Sequence, residues 1–408
     1  MRTAEPPEYI KQVQKRLVES GYAAYLVGGC VRDSILGRPV HDWDITTSAT
    51  PEVVESLFTR AILTGKEYGT VTVVVPECTV EVTTFRTEGG YRDGRRPSFV
   101  GFVRSLDEDL SRRDFTMNAI AASISGELTD PFGGLADIES RVIRCVGVPD
   151  ERFSEDALRM LRAFRFSAEL GFAVDADTLS SISRNAGLVS LISAERVSAE
   201  LEKTLLSQSP EICGEIIKAG LLARYMSTPE KHSGSLGRLN AIAELPAEAA
   251  LRWCAFCALL TESGSVTSAK AFLRDMRLDS KTVGACSRGL EIAGCYAGFN
   301  AYDNTGVKRL LSEHGIPAVR CAAAAFDVLG GGPHYGPALA VVDEIVGCGE
   351  CFHLSGLAVS GSDLISLGHA PGPGLGGTLS SLLRHVIEHP EDNTREALMK
   401  IIEETDKK

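Results

Sequence analysis

The hydrophobic pattern changes once along this chain, and the change divides the sequence into two parts. The runs AAYLV, TVTVVV and TVEVTTF are short, rich in β-branched residues, and either apolar or alternating, which is typical of strands. From Ser154 onward strand patterns almost vanish, and apolar residues recur with a period near 3.6. The sequence therefore predicts a mixed α/β domain of about 145 residues, followed by a helical remainder.

Composition limits the class of protein. The chain has 408 residues, 44% hydrophobic and 24% charged, enough for two to four domains. We find neither a membrane span nor the apolar core of a signal peptide, and the 11 irregularly spaced cysteines favour free thiols over a disulfide framework. The net charge of −12 argues against a basic coat for nucleic acid but leaves a local basic groove open. We expect a globular cytoplasmic protein without a membrane partner.

A Gly-Gly turn and an Asp-x-Asp pair follow each other closely near the N-terminus. Gly28 and Gly29 end the first predicted strand, Arg32 lies one helical turn later, and Asp42 and Asp44 begin the strand-like run DWDITT. Strand residues two apart share a face, and two carboxylates held together favour a Mg²⁺ ion that also binds phosphate oxygens. Each feature alone also fits a plain turn or a solvated strand end. Together they predict a nucleoside-triphosphate site that contains Mg²⁺.

A third carboxylate lies in the run TVEVTTF. Glu81 completes a two-metal site if its strand neighbours the Asp-x-Asp strand and faces the same side. A Glu flanked by valines also fits an ordinary strand residue that points to solvent. The sequence leaves both interpretations open and favours the catalytic one.

Five motifs follow one another in a fixed order along the chain. They are LVGGCVRD with DWDITT, RRDFTMNAIA, DPFGGLADIESRVIRCVG, EDALRMLRAFRF and ERVSAEL. This order resembles that of class II CCA-adding tRNA nucleotidyltransferases and their bacterial poly(A) polymerase relatives, in the nucleotidyltransferase superfamily that includes DNA polymerase beta. The resemblance runs from about residue 20 to 205 and returns near the C-terminal end, in LAVSGSDLISLG and the segment from PGPGLGG onward.

The resemblance implies an α+β fold with a mixed α/β nucleotidyltransferase head and an all-α neck, body and tail. We place the head at 1–147, the neck at 148–208, the body at 209–337 and the tail at 338–408. The body would end at the Gly/Pro-rich break GGGPHYGP. The resemblance assigns catalysis to the head, base selection to the neck and tRNA binding to the tail.

The resemblance also implies roles for site residues. The first motif binds metal and triphosphate in this family, which agrees with the interpretation of Gly29, Arg32 and the Asp pair above. In SRRDFTMNAIA, Arg113 would contact the nucleotide and Asp114 would hydrogen-bond the ribose. The same stretch predicts a helix that begins near Asp114, where the helix dipole favours an acid.

The stretch EDALRMLRAFRF predicts a helix with Asp156, Arg159, Arg162 and Arg165 along one side. An amphipathic helix with ion pairs fits this pattern too. Cytosine and adenine both present an amine donor beside a ring-nitrogen acceptor, so an Asp that only accepts and an Arg that only donates match both and reject uracil and guanine. The family motif implies that Asp156 and Arg159 form this protein template. The other two arginines would orient them or reach the triphosphate.

The sequence favours a complete CCA-adding enzyme that uses ATP and CTP on the tRNA 3′ end. The segment between Glu81 and the RRD motif, with Arg92, Arg95 and Arg96, resembles the loop of complete enzymes, and we find no run typical of poly(A) polymerases. An A-adding or CC-adding enzyme and a poly(A) polymerase remain alternatives within the family. A nucleotide-binding protein without catalysis and a small-molecule nucleotidyltransferase are alternatives of other classes. No obligate protein partner is expected, and a homodimer is left open.

Two Cys-x-x-Cys pairs raise the question of zinc. They are Cys254 with Cys257, and Cys348 with Cys351, and His353 is a spare ligand for the second pair. The surrounding WCAFCALL instead predicts a buried helix, in which free cysteine acts as a small apolar residue. We favour buried thiols and leave zinc open.

Overall fold

A computed structural model describes residues 5–91, 97–227, 235–295, 304–330 and 338–406. By their contacts the residues form two compact units, Met1–Thr204 with Ile212–Arg224, and Leu205–Glu211 with Tyr225–Lys408. Arg92, Arg95 and Arg96, and most of the Gly/Pro-rich break before residue 338, lie outside the described residues. The four-domain division therefore stays a prediction. Within the described ranges, no helix has both the length and the apolar character needed to cross a membrane.

The first unit begins with the mixed sheet that the sequence predicts. Its seven strands run in the order β3-β4-β5-β2-β1-β8-β9, and β2 and β5 are its parallel pair. A separate antiparallel pair, β6 and β7, follows β5 along the chain. The strands are β1 (Ala24–Val27), β2 (Asp44–Thr47), β3 (Ala61–Gly65), β4 (Thr70–Val74), β5 (Thr79–Thr84), β6 (Arg86–Tyr91), β7 (Pro97–Phe102), β8 (Ala121–Ala122) and β9 (Leu128–Thr129). The predicted hairpin of TVTVVV and TVEVTTF is confirmed as β4 and β5.

Five helices accompany this sheet. They are α1 (Glu8–Glu19), α2 (Gly29–Ile35), α3 (Pro51–Leu57), α4 (Leu106–Ser111) and α5 (Gly134–Ser140), with 3₁₀ turns at Lys66–Tyr68 and Thr116–Asn118. Helix α1 buries Ile10, Val13 and Leu17, whose spacing of three and four places them on one face. Its buried Gln14 donates to the carbonyl oxygens of Ala24 and Ala122, so α1 is tied to two neighbouring strands.

The rest of the first unit is almost entirely helical. Its elements are β10 (Val142–Ile143), α6 (Pro149–Glu155), α7 (Leu158–Leu170), β11 (Ala173–Val174), α8 (Ala176–Asn185), a 3₁₀ helix at Ala186–Leu191, α9 (Ala194–Leu206) and α10 (Ile212–Lys218). The short strands β10 and β11 pair in parallel. Phe166 of α7 packs edge-on against Phe115, with ring centroids 5.8 Å apart, so α7 lies against the segment that follows α4.

Among its described residues, the second unit has helices and no strand. Its helices are α11 (Ala249–Glu262), α12 (Ala269–Asp275), α13 (Ser280–Cys295), α14 (Asn304–His314), α15 (Ile316–Val328), α16 (Ala338–Gly347), α17 (Gly361–Ser366), α18 (Pro373–Glu388) and α19 (Arg395–Asp406), with 3₁₀ turns at Ser235–Glu244, Leu354–Gly356 and Pro390–Asp392. A further 3₁₀ turn, Ala223–Tyr225, spans the boundary between the two units along the chain. Helices α13 and α15 approach closely at Gly289, where an added Cβ would lie 2.6 Å from the Cβ of Cys321. Only glycine fits that crossing.

The cysteines of the second unit do not form the four-cysteine site considered from the sequence. Cys254, Cys286 and Cys321 bring their sulfur atoms within 4.8 Å of one another, one from each of α11, α13 and α15. Each thiol donates to a backbone carbonyl oxygen, for example Cys254 to Cys321 at 3.3 Å. The cluster holds one member of the two Cys-x-x-Cys pairs, so it gives no support to a zinc site built from both pairs.

Candidate active site

The Gly-Gly turn joins β1 to α2 and forms one wall of a cavity of about 430 Å³. Gly28 has φ +78°, in the left-handed region that favours glycine, and a Cβ there would lie 3.3 Å from Nη1 of Arg113 and 3.6 Å from Oδ2 of Asp44. The backbone conformation therefore favours glycine, and a side chain there would also crowd the guanidinium of Arg113. The cavity is lined by Gly28, Gly29, Arg32, Asp42, Asp44, Arg113, Asp114, Asn118, Arg162, Arg165 and Phe166, among others.

Asp42 and Asp44 both line this cavity, but they do not lie on one strand as predicted. Strand β2 begins at Asp44, and Asp42 is an exposed residue of the preceding loop. On the β1 side, the pairing ends at Val27, the partner of Asp44, so the residues before Asp44 have no β1 partner. The loop, not strand periodicity, brings Asp42 to the cavity that Asp44 also lines.

Glu81 lies on the strand next to Asp44, as the sequence analysis expected. Strands β2 and β5 are parallel, and Asp44 and Glu81 are register partners, which places their side chains on the same face of the sheet. Glu81 is exposed and does not line the cavity. Its position is therefore compatible with a third metal ligand, and its role stays a prediction.

The electrostatics of Asp44 fit a divalent cation. Burial, together with the charges of Glu81 and Asp42, raises the pKa of Asp44 to about 6, although Arg113 acts in the opposite direction. Crowded carboxylates of this kind repel one another, and a cation bound between them removes the repulsion. Carboxylate oxygens are the ligands that hard divalent ions prefer. Asp42 and Asp44, with Glu81 beside them, fit that chemistry.

The raised pKa of Asp44 has a measurable cost in the metal-free protein. A carboxyl group that is harder to ionise in the folded state lowers the free energy of unfolding when the pH is above its folded-state pKa. This loss of stability disappears when the pH falls below the pKa of the same group in the unfolded chain. We expect Asp44→Asn to increase the free energy of unfolding at pH 7 by at most about 3 kcal/mol. At pH 5 the difference in free energy of unfolding between Asp44→Asn and wild type should be about half of its value at pH 7.

Urea unfolding of both proteins in EDTA, at pH 7 and pH 5, measures this difference. An Asp44→Asn protein that is less stable than wild type at pH 7 would contradict the expectation. Glu55→Gln, an exposed change on α3, is the control and should show no pH-dependent difference.

Three arginines that line the cavity surround one aromatic ring. The guanidinium carbons of Arg32, Arg162 and Arg165 lie 4.9, 5.2 and 4.0 Å from the centroid of the Phe166 ring. The ring face attracts cations and holds these guanidiniums near one another despite their like charge. Sequence reasoning gave Phe166 no role beyond packing, although it lies within the motif EDALRMLRAFRF.

Asn118 is a second residue that sequence reasoning missed. Its Oδ1 accepts from Nη1 of Arg32 at 2.8 Å, and its Nδ2 donates to Oδ1 of Asp114 at 3.1 Å. Arg32 also pairs with the carboxylate of its neighbour Asp33. Asn118 therefore connects the arginine of the first motif to the acid of the second. Its position within the motif RRDFTMNAIA is the sequence signal by which it could have been identified as a candidate site residue.

Asp114 does not begin a helix, which corrects the prediction from the sequence. Helix α4 ends at Ser111, and Phe115 is extended because it pairs with Cys145 in an isolated bridge. The Asp114 carboxylate instead accepts from the Phe115 N–H at 2.8 Å and from Nε of Arg162, also at 2.8 Å. Burial acts to raise the pKa of Asp114, but Arg162, Asn118 and Arg159 hold it well below its usual range.

Asp156 does not share a helix with the three arginines that follow it, which corrects a second prediction. Helix α6 ends at Glu155, Asp156 is extended with φ −143°, and α7 begins at Leu158. The carboxylate of Asp156 accepts from Leu158 N–H at 3.0 Å, which ties it to the start of α7. Its other partner is Arg196 of α9, with Nη2 at 2.7 Å and Nη1 at 3.3 Å.

The arginines of α7 have separate partners. Arg159 donates to Glu155 at 2.7 Å and to the carbonyl oxygen of Arg112 at 2.8 Å. Arg165 pairs with Glu200 of α9 at 2.5 Å and Glu169 at 2.8 Å. The cavity therefore brings together Arg162 and Arg165 with the residues of the first motif, whereas Asp156 and Arg159 do not line it. Their reading of the base stays a prediction.

Comparison with known proteins identifies the same family as the sequence motifs do, over most of the chain. Residues 24–144 match the family model of the poly A polymerase head domain, and residues 171–229 match the model described as a probable RNA and SrmB-binding site of polymerase A. The CCA-adding enzyme of Limosilactobacillus fermentum is 39% identical over 403 residues, which cover 96% of each chain. That of Geobacillus kaustophilus is 39% identical over 414 residues, covering 97% of this chain and 96% of the relative.

A solved structure agrees with these relatives. The crystal structure of the Bacillus stearothermophilus CCA-adding enzyme in complex with CTP superimposes with a TM-score of 0.78 at 35% identity, and the match covers 99% of this chain and 100% of that one. The architecture of an α/β head followed by helices is thereby confirmed. With relatives this similar over nearly the whole length, the chain belongs to the family of CCA-adding enzymes.

Proposed function

We propose that this enzyme adds C, C and A in order to the 3′ end of tRNA, from CTP and ATP and without a nucleic-acid template. The structural observation that supports this most is the cavity itself. Its lining includes both the acids Asp42 and Asp44, which would hold metal, and the arginines Arg32, Arg162 and Arg165, which would bind phosphate. Nucleotidyl transfer needs both at one place.

Nucleotidyltransferases of this kind use divalent metal ions, and we propose Mg²⁺ here. Asp42 and Asp44 would hold it, with Glu81 as the third acid. When bound there, Mg²⁺ supplies activation of the tRNA 3′-hydroxyl and stabilises charge on the α-phosphate and the leaving pyrophosphate. The low-dielectric position of Asp44 strengthens its interaction with a cation.

The arginines would bind the triphosphate. Arg32 and Arg165 are nearly buried, and the cavity they line also exposes the backbone of Gly28 and Gly29, where no side chain blocks a phosphate. Nη1 of Arg113 lies beside Gly28, near the Asp44 carboxylate, and would contact the nucleotide there. Because Arg32 and Arg165 are already held by Asn118 and the Phe166 ring, little side-chain freedom is lost on binding.

Asp114 is proposed to accept a hydrogen bond from the ribose. It lines the cavity and is kept ionised by Arg162 and Asn118, so it presents acceptors only. A ribose hydroxyl can donate to it, whereas a deoxyribose carbon cannot. Asp114 would therefore favour ribonucleotides.

Base selection is proposed for Asp156 and Arg159. An ionised Asp accepts from the exocyclic amine of cytosine or adenine, and Arg donates to the adjacent ring nitrogen. Arg196 holds the carboxylate of Asp156, and Glu155 holds the guanidinium of Arg159. These partners fix both side chains before a nucleotide arrives. Asp156 and Arg159 would each keep this ion pair while they bind the base.

The tRNA would be recognised mainly by its backbone and shape, because the enzyme accepts every tRNA. We propose that the C-terminal helices bind it, as the resemblance implies for the tail. The substrates also make the cytoplasm the compartment in which the enzyme works. The ten cysteines whose side chains are described form no disulfide, which is consistent with a reducing compartment.

Single-nucleotide extension tests the function. Purified protein with Mg²⁺ is given tRNA that ends at the discriminator base, at C or at CC, and each is offered CTP alone, ATP alone or both. We expect C, C and A to be added in order and the reaction then to stop. If only A is added, and only to the tRNA that ends in CC, the protein is an A-adding enzyme. If addition stops at CC, it is a CC-adding enzyme, and if long adenylate tails form, it is a poly(A) polymerase.

A further inference from the structure

A buried acid lies behind the active site and has no role so far. Asp109 of α4 is 0% exposed, although its neighbours Asp107 and Glu108 in the same helical turn are exposed. Acids are favoured in the first turn of a helix by the helix dipole, which accounts for all three residues equally. It does not explain why one of them is buried, since a buried carboxylate is costly unless it is fully paired.

The carboxylate of Asp109 is fully paired. Its Oδ1 accepts from Nε and Nη2 of Arg112, at 3.0 and 2.8 Å, and from the N–H of Arg86 at 3.3 Å. Its Oδ2 accepts from Oγ1 of Thr46 at 3.0 Å and from Nη2 of Arg113 at 3.3 Å. Five donors thus converge on one anion, and two of them belong to elements of the active site.

The two residues that donate to Oδ2 of Asp109, Thr46 and Arg113, both lie close to Asp44. Thr46 lies two residues after Asp44 on β2, so the two side chains are on the same face of the strand. Arg113 reaches from Asp109 toward the Gly28 turn, where its Nη1 and the Asp44 carboxylate flank the same point above Gly28. The guanidinium of Arg113 therefore has two acids near it, Asp109 on one side and Asp44 on the other.

Of these two acids, Arg113 forms its hydrogen bond with Asp109. A guanidinium binds best where it can form charge-assisted hydrogen bonds, and here it donates to Asp109 and not to Asp44. The Nε of Arg113 is buried without a hydrogen-bond partner among the described residues, so this side chain keeps a free donor. If Asp109 lost its charge, Asp44 would become the nearest anion for Arg113, and an ion pair there would compete with a metal ion.

We propose that Asp109 is a positioning residue that holds Arg113 off Asp44, which leaves Asp44 free for the divalent cation and Arg113 free for the nucleotide. The proposal rests on the proposed function for the identity of the cation and the nucleotide. It assigns to Asp109 an effect on metal affinity, which an acid that merely joined α4 to the sheet would not have.

Asp109→Asn tests this, with Asp107→Asn on the exposed side of the same helix as the control. The first readout is Mn²⁺ binding to the free enzyme without nucleotide, followed by electron paramagnetic resonance, and the second is CTP binding in EDTA by calorimetry. We expect Asp109→Asn to weaken Mn²⁺ binding about 10- to 100-fold, the usual effect of losing a partner that orients a metal site. CTP binding should weaken as well, and Asp107→Asn should bind both as wild type does.

Unchanged Mn²⁺ and CTP affinities in a folded Asp109→Asn protein would overturn the proposal, even if that protein were less stable to urea. Should Asp109→Asn not fold, Thr46→Val replaces it, because it removes one hydrogen bond to Oδ2 while keeping the side-chain volume. A smaller loss of Mn²⁺ affinity in Thr46→Val would support the proposal, and wild-type affinity would overturn it. Wild-type enzyme that binds Mn²⁺ and CTP but extends no tRNA would overturn the proposed function alone.

Discussion

Asp44→Ala is expected to lower the rate of C and A addition at least about a thousandfold while tRNA binding stays as in wild type. Asp44 is the acid nearest the Gly28 turn, and it lines the cavity with Asp42. Loss of a ligand removes several kcal/mol of transition-state stabilisation that the cation supplies, and each 1.36 kcal/mol is worth about a factor of ten. Single-turnover incorporation of CTP, with tRNA affinity measured by filter binding, gives both quantities.

Glu55→Ala is the matched control for this experiment, because Glu55 is an exposed acid of α3 outside the cavity. It should keep the wild-type rate. An Asp44→Ala enzyme within tenfold of wild type at saturating Mg²⁺ would exclude Asp44 as a metal ligand. A parallel loss of tRNA binding would point instead to a folding defect.

Asp156→Asn is expected to lower the preference for CTP over UTP by about 10- to 100-fold, since an unpaired polar group in a dry site costs about 1–3 kcal/mol. Asn has an N–H₂ group that can donate to O4 of uracil, which the carboxylate of Asp156 cannot do. Its Oδ1 can still accept from the Leu158 N–H and from Nη1 of Arg196, which should hold the side chain near its native position, although the bond from Nη2 of Arg196 to Oδ2 is lost. The ratio of kcat/KM for CTP and UTP, on tRNA ending at the discriminator base, measures the effect.

Asp177→Asn, an exposed acid of α8, is the control for base choice and should leave the ratio unchanged. If Asp156→Asn folds and keeps the wild-type ratio, Asp156 does not read the base. A uniform fall in rate with CTP, UTP and ATP would assign it to the support of α7 instead.

Local patterns were sufficient for much of the head. The strand and hairpin predictions around β1, β4 and β5 are confirmed, because β-branched residues in short alternating runs between turn residues have few other folded conformations. The predicted Gly-Gly turn after the first strand is confirmed between β1 and α2, and the structure adds that Gly28 has a left-handed backbone. The order of motifs was enough to name the family, since their chemistry and sequence spacing do not depend on details of packing.

Predictions that extended a regular element across a motif were wrong. Asp42 was placed in the strand, Asp114 in the first turn of a helix, and Asp156 on α7, yet each lies just outside a regular element. Periodicity averages over a window of residues and cannot show where one residue leaves the pattern. At such positions the side chain is aimed by its partners, and a functional carboxylate is often found there.

The sequence alone was enough to place several short strands and helices, and it showed an Asp-x-Asp pair close along the chain to a Gly-Gly turn and an arginine. Only the tertiary structure decided the pairing: Arg162 with Asp114, Asp156 with Arg196, and Asp109 with Thr46 and Arg113. Helix and strand periods place a side chain on a face but do not say which distant segment covers that face. The charge of a buried acid depends on that covering segment, and so the packing of distant segments determined the partners of Asp109 and Asp114.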